Sequence, residues 1–299
     1  MWGEQHCSEN ADSTKVLVES NNEHKGEHVS HTPNFRARLI VAFVGIVAGL
    51  TSAHATASST QYEWKPISEY FYQGALNNNG DISGYTDADG WSRGFLSVAP
   101  VLNKRQYLTD APFPTDLTDD RRVVGITERY DGYQFQYAAF MTEANGQNAQ
   151  LLEFDGDYLT SAHTITNSGL VGGNLALGQG IVIDTTSGQG WLLPNGAYSF
   201  ALNEQGQSVG VESVYGEGPP KAYLYDLQGG RTLIGSLGGS TIMPTDISDA
   251  GDVVGGANDA VNRYHAFYYD HSAGTLRDLT PDAYSSRAMA VNNDGIAIG

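Results

Sequence analysis

Cysteine, basic residues and long apolar runs are all scarce in this chain. Its 299 residues contain one cysteine, Cys7, so intramolecular disulfides cannot hold the fold together. Lysine and arginine number 16 against 34 aspartate and glutamate, which leaves a formal charge of −18. Such an acidic protein is repelled by nucleic acid and by anionic lipid, so neither is an expected partner. A fold of this composition has to be stabilised by packing and hydrogen bonding.

The longest apolar stretch, residues 39–50, has the features of a secretion signal. Arg36 and Arg38 precede it, and small residues at 53–57 follow it in the pattern of a cleavage site. A membrane-spanning helix needs about 20 apolar residues, so this stretch of 12 favours cleavage over retention as an anchor. We predict a polar, disordered extension at residues 1–33, a signal peptide at 34–57 and one repeat domain at 58–299, in a secreted, periplasmic or cell-surface bacterial protein.

Apolar spacing of 3.6 residues is also missing after residue 58, which argues against helices. The composition contains instead 36 glycines and 17 tyrosines. Glycine is frequent in turns and tyrosine in strands, so this composition is typical of an all-β protein with many turns.

A phrase of about ten residues occurs six times, and each copy ends in glycine. The copies are ALNNNGDISG at 75–84, DLTDDRRVVG at 116–125, TITNSGLVGG at 164–173, ALNEQGQSVG at 201–210, DISDAGDVVG at 246–255 and AVNNDGIAIG at 290–299. The closing glycines are Gly84, Gly125, Gly173, Gly210, Gly255 and Gly299, which are 41, 48, 37, 45 and 44 residues apart. A period in the forties is typical of propeller blades.

The fifth copy predicts four strands, at residues 243–247, 252–257, 265–270 and 275–279, joined by turns rich in Asx and glycine. In the third strand, Ala266 and Tyr268 are expected on one face of the sheet and Phe267 and Tyr269 on the other. The same reading of the second copy places its fourth strand near residues 151–154. We therefore predict an all-β, propeller-like array of about six four-stranded antiparallel units, the last one truncated. The repeat glycines are expected at the end of each second strand, where a side chain would crowd the neighbouring backbone.

The fifth copy contains His265-Ala266-Phe267 after LIGSLGGST at 233–241 and DISDAGDVVGGA at 246–257. With these motifs the chain resembles the extracellular repeat family that is named for its His-Ala-Phe (HAF) tripeptide. The resemblance covers about residues 58–299 and implies an exported bacterial protein with a propeller-like fold and no established chemistry. It supplies no catalytic residues that could be carried over to this chain.

Three motifs could indicate chemistry, but each has a simpler interpretation. Gly206 to Gly210 matches the G-x-S-x-G nucleophile elbow, yet Ser208 falls at a strand position that is aliphatic in the sister copies. His265 falls where other copies have varied residues, so we interpret it as a polar residue at a strand edge. The Asx/Gly turns lack the full ligand set of a calcium loop. We therefore predict no catalytic residues, no metal ligands and no cofactor.

Two projecting loops are candidate partner surfaces, at residues 128–136 and 213–220. Tyr130, Tyr133, Phe135 and Tyr137, in or beside the first loop, suit contact with an extracellular glycan or protein, unless they pack between repeats. The leading hypothesis is a binding or structural module. One alternative is a hydrolase or lyase for extracellular polysaccharide, in which acids such as Asp184, Glu212 and Glu217 converge. The other is the passenger segment of an autotransporter.

Overall fold

The computed structural model describes residues 16–17, 72–88, 91–99, 104–130, 132–212 and 218–299. The chain forms two compact units, one of residues 29–167 and one of residues 168–299 together with 1–28. The described residues contain no α-helix and three short 3₁₀ turns, Ala144–Gly146, Ala176–Gly178 and Pro194–Gly196. The predicted signal peptide at 34–57 lies outside the described residues, as does the predicted 1–33 extension except for β1, Val16–Leu17.

The 29–167 unit contains two four-stranded antiparallel sheets whose strands lie side by side in chain order. The first sheet consists of β2 (Tyr72–Leu76), β3 (Ile82–Ala88), β4 (Trp91–Ser97) and β5 (Arg105–Tyr107), and the second of β6 (Phe113–Leu117), β7 (Val123–Tyr130), β8 (Phe135–Glu143) and β9 (Gln147–Leu151). A small hairpin of β10 (Glu153–Phe154) and β11 (Asp157–Tyr158) precedes β12 (Ser161–Ile165).

The 168–299 unit repeats the same antiparallel pattern. Its strands are β13 (Leu170–Asn174), β14 (Gly180–Asp184) and β15 (Gly190–Leu192), then β16 (Tyr198–Leu202), β17 (Ser208–Glu212), β18 (Lys221–Tyr225) and β19 (Arg231–Gly235), then β20 (Gly238–Ile247), β21 (Val253–Asp259), β22 (Tyr264–Asp270) and β23 (Thr275–Asp278), and finally β24 (Ala290–Val291) and β25 (Ala297–Ile298). β16–β19 and β20–β23 each form a four-stranded sheet, and β1 runs parallel to β25.

The predicted all-β class and the four-stranded antiparallel units are therefore confirmed. The fourth strand of the second copy is displaced from its predicted place: it is β9, Gln147–Leu151, and not residues 151–154. The backbone N–H of Leu152 bonds to the carbonyl of Ala139, and the chain then turns at Asp155 and Gly156, both with positive φ. The predicted strand is thus divided between β9 and the small hairpin.

The core of the 168–299 unit lies between its sheets. Phe267 and Tyr269 pack with Val209 and Leu224 of the β16–β19 sheet, and all four side chains are buried. Their neighbours in β22, such as Tyr268, point the other way and pack against Ala297. This alternation is the one predicted for the His-Ala-Phe strand, and burial of each large side chain contributes about 1.5–3 kcal/mol.

Five repeat glycines lie opposite the same place in the third strand of their sheets. The pairs are Gly84 with Phe95, Gly125 with Phe140, Gly173 with Ile181, Gly210 with Tyr223 and Gly255 with Phe267. A Cβ on Gly255 would overlap the carbonyl oxygen of Met243 in the first strand. A Cβ on Gly299, which follows β25, would overlap the carbonyl oxygen of Arg287.

We expected the repeat glycines at the end of each second strand, but all except Gly299 lie inside it. Gly255 is the third residue of β21, which continues to Asp259, and Gly125 is the third residue of β7, which continues to Tyr130. The second strands extend because their outer halves pair with equally long third strands.

Side chains of the turns after the first strands connect successive repeats. The backbone N–H of Asn78 donates to Asp119 Oδ1 at 2.9 Å, and that of Asp119 donates to Asn167 Oδ1 at 2.8 Å. In the 168–299 unit, the backbone N–H of Asp249 donates to Asn293 Oδ1 at 2.8 Å. One repeat position therefore supplies a side-chain acceptor to the previous turn and a backbone donor to the next, which explains its preference for Asx residues.

Candidate functional site

The second sheet carries a hairpin that extends beyond its other strands. β6 pairs with β7 only as far as Ile126, whereas β7 and β8 remain paired out to Tyr130 and Phe135. Gly132, with φ of +100°, reverses the chain at the tip, and the Tyr130 hydroxyl donates to its carbonyl at 3.2 Å. Continuous cross-strand pairing thus supports the outer hairpin, residues 127–138.

One face of this hairpin is aromatic. Residues directly opposite each other in an antiparallel pair share a face, so Tyr130 and Phe135 lie together, as do Glu128 and Tyr137. The Tyr130 and Phe135 ring centroids are 5.3 Å apart. The side chains of Tyr130, Phe135 and Tyr137 are 58%, 71% and 63% exposed, and Tyr133 near the tip is 93% exposed. The structure therefore does not bury these rings between repeats.

The opposite face of the hairpin is polar and is anchored to the rest of the unit. Arg129 pairs with Gln136, and the Arg129 guanidinium lies 4.1 Å from the centre of the Tyr158 ring in β11. A cation over an aromatic face is attracted by the ring quadrupole. This contact ties the hairpin to the small β10–β11 hairpin and leaves the aromatic face directed outward.

The second candidate loop, residues 213–220, lies outside the described residues at 213–217. Its remaining part, Gly218 to Pro220, lines an open depression together with Ser240 and Asp259. No aromatic side chain is among the residues that line this depression.

Ser208 lies where the sequence placed it, inside a strand. It is the first residue of β17 and is almost fully buried. Its hydroxyl contacts Ser199 Oγ at 3.0 Å and donates to the carbonyl of Ala201 at 3.2 Å. The strained strand-to-helix turn of a nucleophile elbow does not occur at this position.

A different serine has a histidine beside it, which the sequence analysis missed. Ser161 Oγ and His163 Nε2 are 3.0 Å apart because alternate residues of β12 share a face. Burial lowers the pKa of His163 below its ordinary value, which favours the neutral imidazole. A serine hydroxyl and an imidazole thus lie within hydrogen-bond distance of each other in β12.

The interpretation of His265 as a polar residue at a strand edge is wrong. It is completely buried, with Nδ1 2.7 Å from Asp278 Oδ2 and Nε2 3.1 Å from the carbonyl oxygen of Ala283. Each ring nitrogen therefore lies within hydrogen-bond distance of an oxygen atom. The first residue of the His-Ala-Phe tripeptide thus joins the third strand to the fourth strand and to the loop after it.

The acids considered for glycoside chemistry have separate local roles. Glu212 forms an ion pair with Arg231 and accepts a hydrogen bond from the Tyr225 hydroxyl at 2.9 Å. Asp184 binds Ser187 and the backbone N–H of Thr186, and these hydrogen bonds lower the pKa of its carboxyl. Glu217 lies outside the described residues.

The Asx/Gly turns use their oxygens within the protein. Both carboxylate oxygens of Asp249 accept hydrogen bonds, from the backbone N–H of Glu204 and from the Asn293 amide. Asp87 accepts a bond from Ser92, while the rest of its turn, Asp89 and Gly90, lies outside the described residues. Within the part of the chain that the structure describes, no group of three or more His, Cys, Asp or Glu side chains is arranged to hold a metal ion.

The described part of the chain contains no helix with the length and apolarity that a membrane crossing requires.

The fold is similar to solved β-propeller structures. The chain resembles TolB from Acinetobacter baumannii, with a TM-score of 0.50 and 13% identity, over 69% of this chain and 53% of TolB. It thus spans about half the length of that protein. It also resembles hydrazine synthase from Kuenenia stuttgartiensis, with a TM-score of 0.51 and 11% identity, over 75% of this chain and 71% of the other. At such identities the likeness shows a propeller-like fold alone.

No protein-family profile matches the sequence, and no curated protein sequence matches it.

Proposed function

We propose that this chain is an exported, propeller-like repeat protein of the HAF type that binds an extracellular glycan through the aromatic face of its outer hairpin. The observation that carries the proposal is the exposure of Tyr130, Phe135 and Tyr137 on one face. An exposed cluster of large apolar groups is uncommon on a soluble protein and is typical of an interaction site.

The dimensions of the face suit a sugar ring. Phe135 and Tyr137 are two residues apart in one strand, which separates them by about 7 Å. Tyr130 lies beside Phe135 across the strand pair. Tyrosine combines a flat apolar ring with a hydroxyl, so it can cover the apolar face of a pyranose and bond to the hydroxyls at its rim.

Charge favours a neutral glycan over an acidic one. Glu128 shares the aromatic face with Tyr137, and the chain carries a formal charge of −18. A polyanionic polysaccharide would be repelled by this field, whereas a neutral one would meet Glu128 as a hydrogen-bond acceptor.

A glycan array tests the proposal. We expect the wild type to bind neutral glycans, and a variant with Tyr130, Phe135 and Tyr137 replaced by serine to lose that binding. Tyr284→Ser is the matched control, because Tyr284 is 96% exposed and lies in the other compact unit. Array binding that survives the triple substitution, or is lost in the control, contradicts the proposal. Capture of a protein partner through the same three rings would favour the protein-binding alternative.

Export is tested separately by sequencing the N-terminus of the secreted protein. The arginines and apolar stretch before Ala55 predict a mature N-terminus near Thr56 or Ser58. Secreted protein that began at Met1 would contradict cleavage and would favour an uncleaved anchor.

The hydrolase alternative is favoured by one observation, the contact between Ser161 and His163. A serine-directed fluorophosphonate probe distinguishes the two functions. A binding module is expected to remain unlabelled, whereas labelling that Ser161→Ala abolishes would support a serine hydrolase.

A further inference from the structure

A cavity lies between the β13–β15 strands and the β16–β19 sheet, all within the 168–299 unit. Its volume is about 270 Å³. Val182, Trp191 and Leu193 form one wall, and Ser208 and Tyr225 belong to the other. The turn at residues 226–230 forms its rim. An apolar cavity of about 150 Å³ can hold benzene, so this one has room for a substituted aromatic ring.

The cavity has a specific origin in the repeat sequence. Val182 stands where the fifth repeat has Tyr268, because both lie opposite the residue before the repeat glycine. In the fifth repeat the Tyr268 ring fills this place, donates its hydroxyl to Asp252 at 2.8 Å and is covered by Arg277. The third repeat has the smaller Val182, and Trp191 takes the position of Arg277.

The opposite wall of the cavity also has a smaller side chain than most other repeats have. Ser208 occupies the position at which the sister copies have aliphatic side chains, such as Val253 in the fifth. Two reductions in side-chain size therefore coincide at the junction of the third and fourth repeats. At the junction beyond the fifth repeat the facing residue, Ala297, is also small, but the full Tyr268 ring packs against it. Protein interiors are packed to crystal-like density, so a gap made by two opposed substitutions requires an explanation.

The lining indicates the chemistry of an occupant. Trp191, Leu193 and Tyr225 offer aromatic and aliphatic surface, and the exposed Asp226 adds a negative charge at the rim. No lysine or arginine is among the residues that line the cavity. The nearby Arg231 is paired with Glu212 and stacks over the Tyr223 ring at 4.7 Å.

Asp226 is held in a fixed position at the rim. Its Oδ1 accepts the backbone N–H groups of Gln228 and Gly230 at 2.9 and 2.8 Å. An acidic rim above an aromatic wall is complementary to a cation attached to an apolar body, which gains from both the carboxylate and the ring faces.

We propose that this cavity is a binding site for a small aromatic amine, with its ring against Trp191 and its ammonium group at Asp226. The site belongs to the 168–299 unit and the aromatic hairpin to the 29–167 unit. The proposal does not depend on glycan binding.

Phenethylamine and 3-phenylpropionate are matched probes, since they share a ring of the same size and carry opposite charges. Ligand-observed NMR and the indole N–H resonance of Trp191 would measure binding. We expect saturable binding of phenethylamine with a dissociation constant on the order of 1 mM, which is typical of so small a ligand, and weaker binding of the acid.

Three variants test the geometry. Val182→Tyr introduces the residue of the fifth repeat and should abolish binding by filling the cavity. Ser208→Val, the residue type of the sister copies, should weaken binding from the other wall and remains informative if Val182→Tyr does not fold. Asp226→Asn keeps an acceptor for the turn but removes the charge at the rim, so it should weaken phenethylamine binding about threefold. The same substitution should not weaken the binding of 3-phenylpropionate.

The outcome is decisive in either direction. Phenethylamine binding that is lost on filling the cavity and reduced by Asp226→Asn supports the site. Absence of saturation up to about 10 mM, equal binding of both probes, or binding that both filling variants leave unchanged would overturn it.

Discussion

Arg121 stands at a turn position that glycine occupies in the five other repeats. Its φ is +68°, and the corresponding glycines, such as Gly80 and Gly251, also have positive φ. A side chain in this conformation costs about 1–2 kcal/mol. The Arg121 guanidinium offsets part of this cost by pairing with the buried carboxylate of Asp81, with Nε and Oδ2 2.7 Å apart.

The same pairing controls the ionisation of Asp81. Burial alone would raise the pKa of its carboxyl, but the hydrogen bonds from Arg121, the Ala99 backbone N–H and the Asn77 amide outweigh burial and lower it. Asp81 is therefore held as a carboxylate, and removal of Arg121 leaves a buried charge with fewer partners.

Replacement of Arg121 by alanine and by glycine separates the cost of its positive φ from the contribution of its ion pair with Asp81. Both variants should lower the free energy of unfolding in urea, because both lose the ion pair to Asp81. Alanine retains the left-handed strain and glycine relieves it, so Arg121→Gly should be more stable than Arg121→Ala by about 1 kcal/mol. An alanine variant as stable as the glycine variant would show that strain at this turn is unimportant.

The repeat glycines make a second prediction at the residue scale. Gly255→Ala should cost about 2–3 kcal/mol, because the new methyl group would overlap the Met243 carbonyl and crowd the Phe267 ring. Gly274→Ala is the control: its φ is +64° and open space surrounds it, so only the backbone cost of about 1 kcal/mol applies. Chemical denaturation measures both, and an equal loss in the two variants would refute the crowding account.

First strands are joined to the following repeat by a Thr-Asp pair at a β-bulge. In β20 the Thr245 hydroxyl donates to the Ala288 carbonyl at 2.8 Å, and Asp246 Oδ2 accepts the Val291 backbone N–H at 2.9 Å. The same arrangement occurs in β6, where Pro-Thr-Asp recurs at 114–116 and binds Ala162 and Ile165. The bulge turns both side chains toward the next repeat.

Asp246 makes this connection sensitive to pH. Burial raises the pKa of its carboxyl to about 6, and the hydrogen bonds from Val291 and Ile247 lower it only in part. The folded state therefore binds this proton more tightly than the unfolded chain does. The contribution of Asp246 is fully present below about pH 4, the pKa of aspartate in the unfolded chain, and is lost as the pH rises through about 6.

Asp246→Asn isolates that contribution. The free energy of unfolding of the wild type relative to the variant should fall by on the order of 2 kcal/mol between about pH 4 and pH 7. Other carboxylates, such as Asp81, have a lowered pKa and make the protein more stable as the pH rises. Their contribution is the same in the wild type and the variant, so it cancels when the two free energies of unfolding are subtracted. Asp249→Asn, at a half-buried turn in the same repeat, is the control. Parallel stability curves for the wild type and Asp246→Asn would contradict a raised pKa for Asp246 in the folded state.

Local repetition explains what the sequence could predict at the scale of strands. The glycine phrase located the first two strands of each unit, and alternation located the faces of His265 to Asp270, because both depend on nearby residues. Hydrogen bonds between side chains that are distant in the sequence could not be predicted from the neighbouring residues. The pairing of His265 with Asp278 and the bonding of Asp249 to Asn293 become visible only when the strands are assembled.

At the scale of the whole molecule, the sequence predicted only part of the candidate site. The aromatic residues of the hairpin were identified from composition, but their common face depends on the register of Tyr130 with Phe135. The cavity beside Trp191 was not predicted, although both of its causes, Val182 and Ser208, are departures from the repeat pattern. Comparison of copies position by position finds such departures, and packing decides whether they leave a space.

The most direct test of the glycan-binding claim is to compare the two faces of the hairpin with single substitutions. Calorimetric titration with a glycan selected on the array would measure Tyr137→Ala and its strand neighbour Gln136→Ala, which lie on opposite faces. We predict that Tyr137→Ala weakens binding at least tenfold, as loss of a central aromatic contact does, and that Gln136→Ala changes it less than twofold. Equal effects of the two substitutions, or a larger effect of Gln136→Ala, would contradict binding at the aromatic face.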